Sequence, residues 1–216
     1  LMMLKLQWVS LLMKYLKFPG VDYPVSVIGV GLGLGNAFAE LSPIETYKKA
    51  VRVALDLGAS HIDTAEVYGG GRSEEMIGSL KGFLPNDVLV ATKISPANLS
   101  RGNVLRAIEM SLARLNRPSL DLLYVHWPNP LVPFEETAEQ LMVAVNSGKV
   151  RRLGVSNFNL DEIVYFSALL PHGTLSAVQS EYNLFDRSAE HDLIPYCLAH
   201  RLAFVAYSPL DQGNIA

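Results

Sequence analysis

The chain has 216 residues, half of them hydrophobic and 18 % charged, which is ample apolar material for one sizeable core. A net charge of −3 and a pI near 6.0 argue against the basic surface that nucleic acid requires. One cysteine, Cys197, rules out an internal disulfide framework, and no apolar run reaches the roughly 18 residues needed to span a membrane. A cytoplasmic location with no membrane partner is the resulting expectation.

Residues 1–12 are largely apolar, with Lys5 their single charge, and lack a small-residue cleavage site, so they read as an N-terminal extension upstream of Met13. Residues 13–216 then read as one domain. Val25 to Gly31 is a short apolar run ending in glycines, a first strand. Ser42-Pro43-Ile44-Glu45 offers an N-cap, a proline at the first helical position and a capping-box Glu, for a helix that runs to about Leu57 and closes at Gly58. Strand Ala59 to Asp63 follows, then helix Ser73 to Lys81 and strand Val88 to Lys93. Helix Asn103 to Leu115 leads to strand Leu120 to His126, and helix Phe134 to Asn146 to strand Val150 to Val155. Asn159 with Glu162 caps the next helix, which precedes strand Leu175 to Ser180; helix Leu193 to His200 precedes strand Ala203 to Tyr207. Strands and helices in strict alternation predict a parallel sheet covered by helices. Two architectures remain open at this point. A doubly wound sheet binds ligands at a switch point, and a closed barrel binds them at the C-terminal ends of its strands.

Polar residues gather at one end of the predicted strands: Asp63 and then Tyr68, Lys93, His126, Ser156 with Asn157, Gln179, and Tyr207 with Ser208 and Pro209. In a barrel these would converge on one mouth. In an open sheet they would form a line whose outer members never meet. Singly, each has an ordinary explanation: a turn residue for Asp63, a loop aromatic for Tyr68, a solvated strand end for Lys93, a rim histidine for His126. Their joint appearance at equivalent points of successive units favours a site.

The segment Gly58-Ala59-Ser60-His61-Ile62-Asp63-Thr64-Ala65-Glu66-Val67-Tyr68-Gly69 resembles the aldo-keto reductase signature. Ala91-Thr92-Lys93, Asp121 to Pro128, Gly154-Val155-Ser156-Asn157-Phe158, Gln179 and Ala206-Tyr207-Ser208-Pro209-Leu210 continue the match in the family's order. The resemblance implies a (β/α)8 TIM barrel that reduces an aldehyde or ketone with NADP(H), with a small-molecule carbonyl compound as the partner. By motif match it implies catalytic residues Asp63, Tyr68, Lys93 and His126, with Asp63 also near the cofactor. Tyr68 would donate the proton, Lys93 would make the phenol a stronger acid, Asp63 would hold Lys93, and His126 would orient the substrate oxygen. Ser156, Asn157 and Gln179 would meet the nicotinamide carboxamide and Tyr207 would stack on the ring. Ser208, Pro209, Leu210 and the loop to Gly213 would lie along the pyrophosphate. Trp127 would wall the substrate pocket, and no metal is implied.

Two departures stand out. Gly29-Val30-Gly31-Leu32-Gly33-Leu34-Gly35 lacks the Thr-Trp or Thr-Met often found after the family's glycine, and its glycines fall at every second position, so it is no dinucleotide fingerprint. The sequence also stops just beyond the seventh predicted strand, whereas such a barrel takes roughly 250 residues. The expectation is a barrel truncated after strand seven, without the Lys/Arg site for the adenosine 2′-phosphate. The alternatives to an active reductase are a non-catalytic cofactor-binding partner subunit and an inactive truncated remnant.

Overall fold

The computed structural model describes residues 13–33 and 44–215. The N-terminal extension and the capping residues Ser42 and Pro43 lie outside the described residues. A short antiparallel hairpin comes first, β1 (Tyr15–Lys17) with β2 (Pro24–Ser26). A seven-stranded parallel sheet follows: β3 (Val30–Gly31), β4 (His61–Asp63), β5 (Leu89–Ile94), β6 (Leu122–Val125), β7 (Leu153–Ser156), β8 (Leu175–Glu181) and β9 (Ala203–Tyr207). Between them run α1 (Ile44–Asp56), α2 (Arg72–Ser79), α3 (Asn103–Leu115), α4 (Phe134–Asn146), α5 (Leu160–Ala168) and α6 (Leu193–His200).

Each strand of the large sheet pairs with the next in sequence, with no reversal of order. A doubly wound sheet needs such a reversal, so that alternative is set aside. One hydrogen bond shows how far the sheet curls. Gln179 on β8 donates from Nε2 to Asp63 Oδ2 on β4 at 2.9 Å. Four strand spacings separate these strands in the sheet, about 19 Å if it were flat. Their side chains meet only because the sheet bends into a nearly closed barrel, with β3 and β9 as its two edges among the described residues.

Alternation along the strands sorts side chains to the two faces. Val90, Leu123, Leu153, Val155 and Val178 face the helices and form the larger core with Ile77, Ile108, Leu115, Leu141 and Phe166. Leu89, Ala91, Leu122, Tyr124 and Ala177 fill the barrel interior. The interior is tight. A Cβ on Gly154 would fall 2.4 Å from the Tyr124 ring, so only glycine fits on β7 there.

The predicted first strand, Val25 to Gly31, is divided in the structure. Its first half belongs to the hairpin and its second half to the barrel. Ser26 turns the chain between the two: its N–H donates to Ser60 Oγ at 2.9 Å, and its hydroxyl accepts from Ser60 N–H at 2.8 Å. Phe18 and Val25 carry the hairpin onto the interior cluster, closing the barrel at the end opposite the polar mouth. The cap read at Asn159 is present as a full capping box with Glu162. Among the described residues, no helix is long and apolar enough to cross a membrane.

Candidate active site

Lys93 lies one residue before the end of β5, with its side chain 1 % exposed, inside the barrel mouth. An ammonium has three N–H donors. Here all three are used: one on Asp63 Oδ1, one on the Thr64 carbonyl at 2.9 Å and one on the Tyr68 hydroxyl at 3.3 Å. A buried cation is tolerable only when paired and hydrogen-bonded, and this one is both. Asp63 is held in turn by Gln179, so its two oxygens meet one donor each from opposite sides of the barrel.

Tyr68 opens a 3-10 turn, Tyr68–Gly71, just before α2. Gly69, Gly70 and Gly71 all have positive φ (60°, 65° and 97°), a region open to glycine at little cost. That backbone brings Tyr68 back over the mouth within one turn. Gly33, two residues beyond β3, lies against the phenol from the other side: a Cβ there would sit 2.9 Å from Tyr68 Cζ and 3.0 Å from its oxygen. Gly33 thus makes room for Tyr68.

His126 follows β6 and meets Tyr68 edge to face, ring centroids 5.7 Å apart. Trp127 stacks behind it at 6.2 Å and is half exposed. Burial, followed by the Lys93 charge, pushes the His126 pKa down to about 4, with Asp63 opposing weakly. At neutral pH the imidazole is therefore uncharged and can give or take a hydrogen bond, but carries no dissociable extra proton.

The residues expected around a cofactor are also brought together. Ser156 and Gln179 are register neighbours on β7 and β8. Asn157 has φ 62°, unusual for a residue other than glycine, and this turns its side chain into a small network. Its Nδ2 donates to the His126 carbonyl at 2.9 Å and to Ser156 Oγ at 3.0 Å, and its Oδ1 accepts from the Tyr207 hydroxyl at 2.7 Å. Beyond Tyr207, Ser208, Asp211 and Gln212 have positive φ, and Asp211–Gly213 form a 3-10 turn. Pro209, Leu210 and Gly213 are exposed along this segment. The structure thus adds a role for Gln179, whose amide nitrogen is engaged by Asp63. Its carbonyl oxygen takes no part in that bond. Among the described residues, two buried side-chain atoms have no hydrogen-bond partner, His61 Nε2 and the Tyr124 hydroxyl.

The model of the aldo/keto reductase family matches residues 28–216. The chain belongs to the aldo-keto reductase family. Aldo-keto reductase YhdN of Bacillus subtilis is 35 % identical over 93 % of this chain, and methylglyoxal reductase YeaE of Escherichia coli is 34 % identical over 93 %. The chain spans 63 % and 69 % of those two proteins respectively. Among solved structures, an aldo-keto reductase from Klebsiella pneumoniae in complex with NADPH superposes with a TM-score of 0.84 at 32 % identity, covering 94 % of this chain and 70 % of that one.

Proposed function

We propose that this chain provides the site of an NADPH-dependent reductase of aldehydes or ketones, with Tyr68 as the proton donor. The observation that carries the reading is the convergence of the Lys93 ammonium on Asp63 and the Tyr68 hydroxyl, beside an uncharged His126. When bound, NADPH supplies the hydride. The residues present suit it: Ser156, Asn157 and the Gln179 carbonyl offer adjacent donors and acceptors for a carboxamide, and Tyr207, tied down by its hydroxyl, offers an aromatic surface. The segment 208–213 follows directly, where the pyrophosphate would lie.

The protein's part is to stabilise and protonate the carbonyl oxygen. As negative charge develops there, Tyr68 donates its proton, and Lys93 stabilises the charge that then forms on the phenol oxygen. His126 orients the carbonyl oxygen through its ring N–H and remains uncharged. Asp63 keeps the ammonium on the Tyr68 side of the mouth. Trp127 supplies the apolar wall. The NADPH complex of the Klebsiella protein and the reductase relatives favour this reading over a non-catalytic partner subunit.

The test is NADPH oxidation at 340 nm with 4-nitrobenzaldehyde, alongside NADPH titration by fluorescence. Tyr68→Phe is expected to lower turnover by about 10²–10⁴-fold while leaving cofactor affinity nearly unchanged. Turnover close to that of the unmodified protein would remove Tyr68 from the role. No turnover with a range of reactive aldehydes, despite NADPH binding, would favour the partner subunit.

A further inference from the structure

Asp63, Tyr68 and Lys93 lie on β4, on a 3-10 turn and on β5, and the first turn of α2 hydrogen-bonds to the chain neighbours of Asp63 and Lys93. Arg72 begins α2 four residues after Tyr68. The hydroxyl of Ser73 meets Thr64 Oγ1 at 2.6 Å. The next residue, Glu74, accepts from Thr92 Oγ1 at 2.5 Å. Thr64 directly follows Asp63, and its carbonyl accepts from the Lys93 ammonium. Thr92 directly precedes Lys93. Two adjacent helical residues therefore grip the neighbours of both members of the ion pair. Ser73, Glu74, Thr64 and Thr92 are all completely buried.

Glu74 needs a counter-charge, and α3 provides it. Arg114 Nε donates to the second carboxylate oxygen at 2.6 Å, and its side chain also reaches Ser111 Oγ at 3.3 Å. The Tyr68 turn rests on the same arginine: a Cβ on Gly71 would fall 2.8 Å from Arg114 Cδ. Apolar residues of similar size would fill this space at no loss of stability, because a buried ion pair seldom outperforms good packing. What apolar residues could not do is fix Thr64 and Thr92 at single rotamers through directed hydrogen bonds.

We propose that Ser73 and Glu74 are positioning residues: acting through Thr64 and Thr92, they set where the Lys93 ammonium meets the Tyr68 hydroxyl. The inference rests on the proposed role of Tyr68 as proton donor. The Lys93–Tyr68 separation is 3.3 Å, at the long end of hydrogen-bond range, so a small retreat of the β5 end or of the Tyr68 turn breaks the contact. Misplacement of a reacting group by about 1 Å can cost on the order of 10²-fold in rate.

A pair of variants at Thr92 tests this. Thr92→Val keeps the shape and removes the hydroxyl; Thr92→Ser keeps the hydroxyl. Thr92→Val is expected to lower kcat for 4-nitrobenzaldehyde by about tenfold or more, with KM for NADPH within about twofold. Thr92→Ser is expected to stay within about twofold of the unmodified protein in both. The second readout needs no turnover. The protected Lys93 ammonium gives a slowly exchanging signal in 15N-edited NMR, assigned by its loss in Lys93→Met. Thr92→Val should speed its exchange with water, and Thr92→Ser should not. If Thr92→Val matches the unmodified protein in both readouts, or if the two variants lose activity and ammonium protection equally, the positioning role is wrong. Should the unmodified protein fail to reduce any aldehyde, the proposed function falls, and the ammonium signal alone still decides the positioning claim. Should Thr92→Val not fold, Ser73→Ala removes the companion bond and is read by the same two measurements.

Discussion

Acid should unfold this protein partly through one histidine, and the structure sets the size of the effect. The His126 pKa lies at about 4, below the ordinary value of 6.5, because of burial and the Lys93 charge. A folded state that holds histidine neutral binds fewer protons than the unfolded chain between these two values. Stability is then full above about pH 6.5 and is lost as the pH falls toward 4. The gap is about two and a half pH units, worth about 1.4 kcal/mol each, or about 3 kcal/mol in all. Solvent at the mouth screens part of this and leaves about 2 kcal/mol. His61, also held neutral by burial, acts in the same direction. The assay is urea unfolding at intervals from pH 7.5 to 4, for the unmodified protein and for His126→Asn. The unmodified protein should lose about 2 kcal/mol more than the variant over that range. Parallel curves would show that neither burial nor the Lys93 charge lowers the His126 pKa in the folded protein.

Three other perturbations address the site and its support. Lys93→Met should lower kcat by at least about 10²-fold, because its interaction strengthens as charge develops; a change confined to the aldehyde KM would make Lys93 a binding residue. Gly33→Ala should push the Tyr68 ring aside and reduce turnover by about tenfold with a near-normal Tm, since the new Cβ faces the far end of a side chain 2.9 Å away; unchanged kcat would mean that Tyr68 tolerates the shift. Arg114→Met should cost about 3–5 kcal/mol in urea unfolding by stranding the buried Glu74 carboxylate, and a loss below about 1 kcal/mol would show that solvent reaches it.

The alternation of strands and helices was legible because each element repeats its own period, and the capping box at Asn159 and Glu162 was legible because its chemistry is local. The polar residues at the strand ends could be placed at one end of a parallel sheet for the same reason. The hairpin β1–β2 was not legible. Val25 to Gly31 reads as one mainly apolar run, and only the Ser26–Ser60 exchange, 34 residues apart, assigns its halves to different sheets. Nor did the sequence show what Glu74 does. An acidic residue in a first helical turn reads as a helix-end charge. Its burial against Thr92 and Arg114 depends on how α2 crosses β5 and α3.

The resemblance marked Asp63, Tyr68, Lys93 and His126 as a set, and the local pattern put them after three successive strands, Asp63 and Tyr68 sharing one unit. Whether the units met was a question of curvature. Asp63 and Gln179 are 116 residues apart, and both were expected to serve other groups: Asp63 to hold Lys93, Gln179 to meet a carboxamide. That they also bind each other follows from the bend accumulated over five strands. Strand twist is a small rotation repeated at each pairing, and no single residue encodes its sum. Periodicity therefore determined which residues face the mouth. Tertiary structure decided which of them touch, because closing the barrel brings together side chains that no local signal connects.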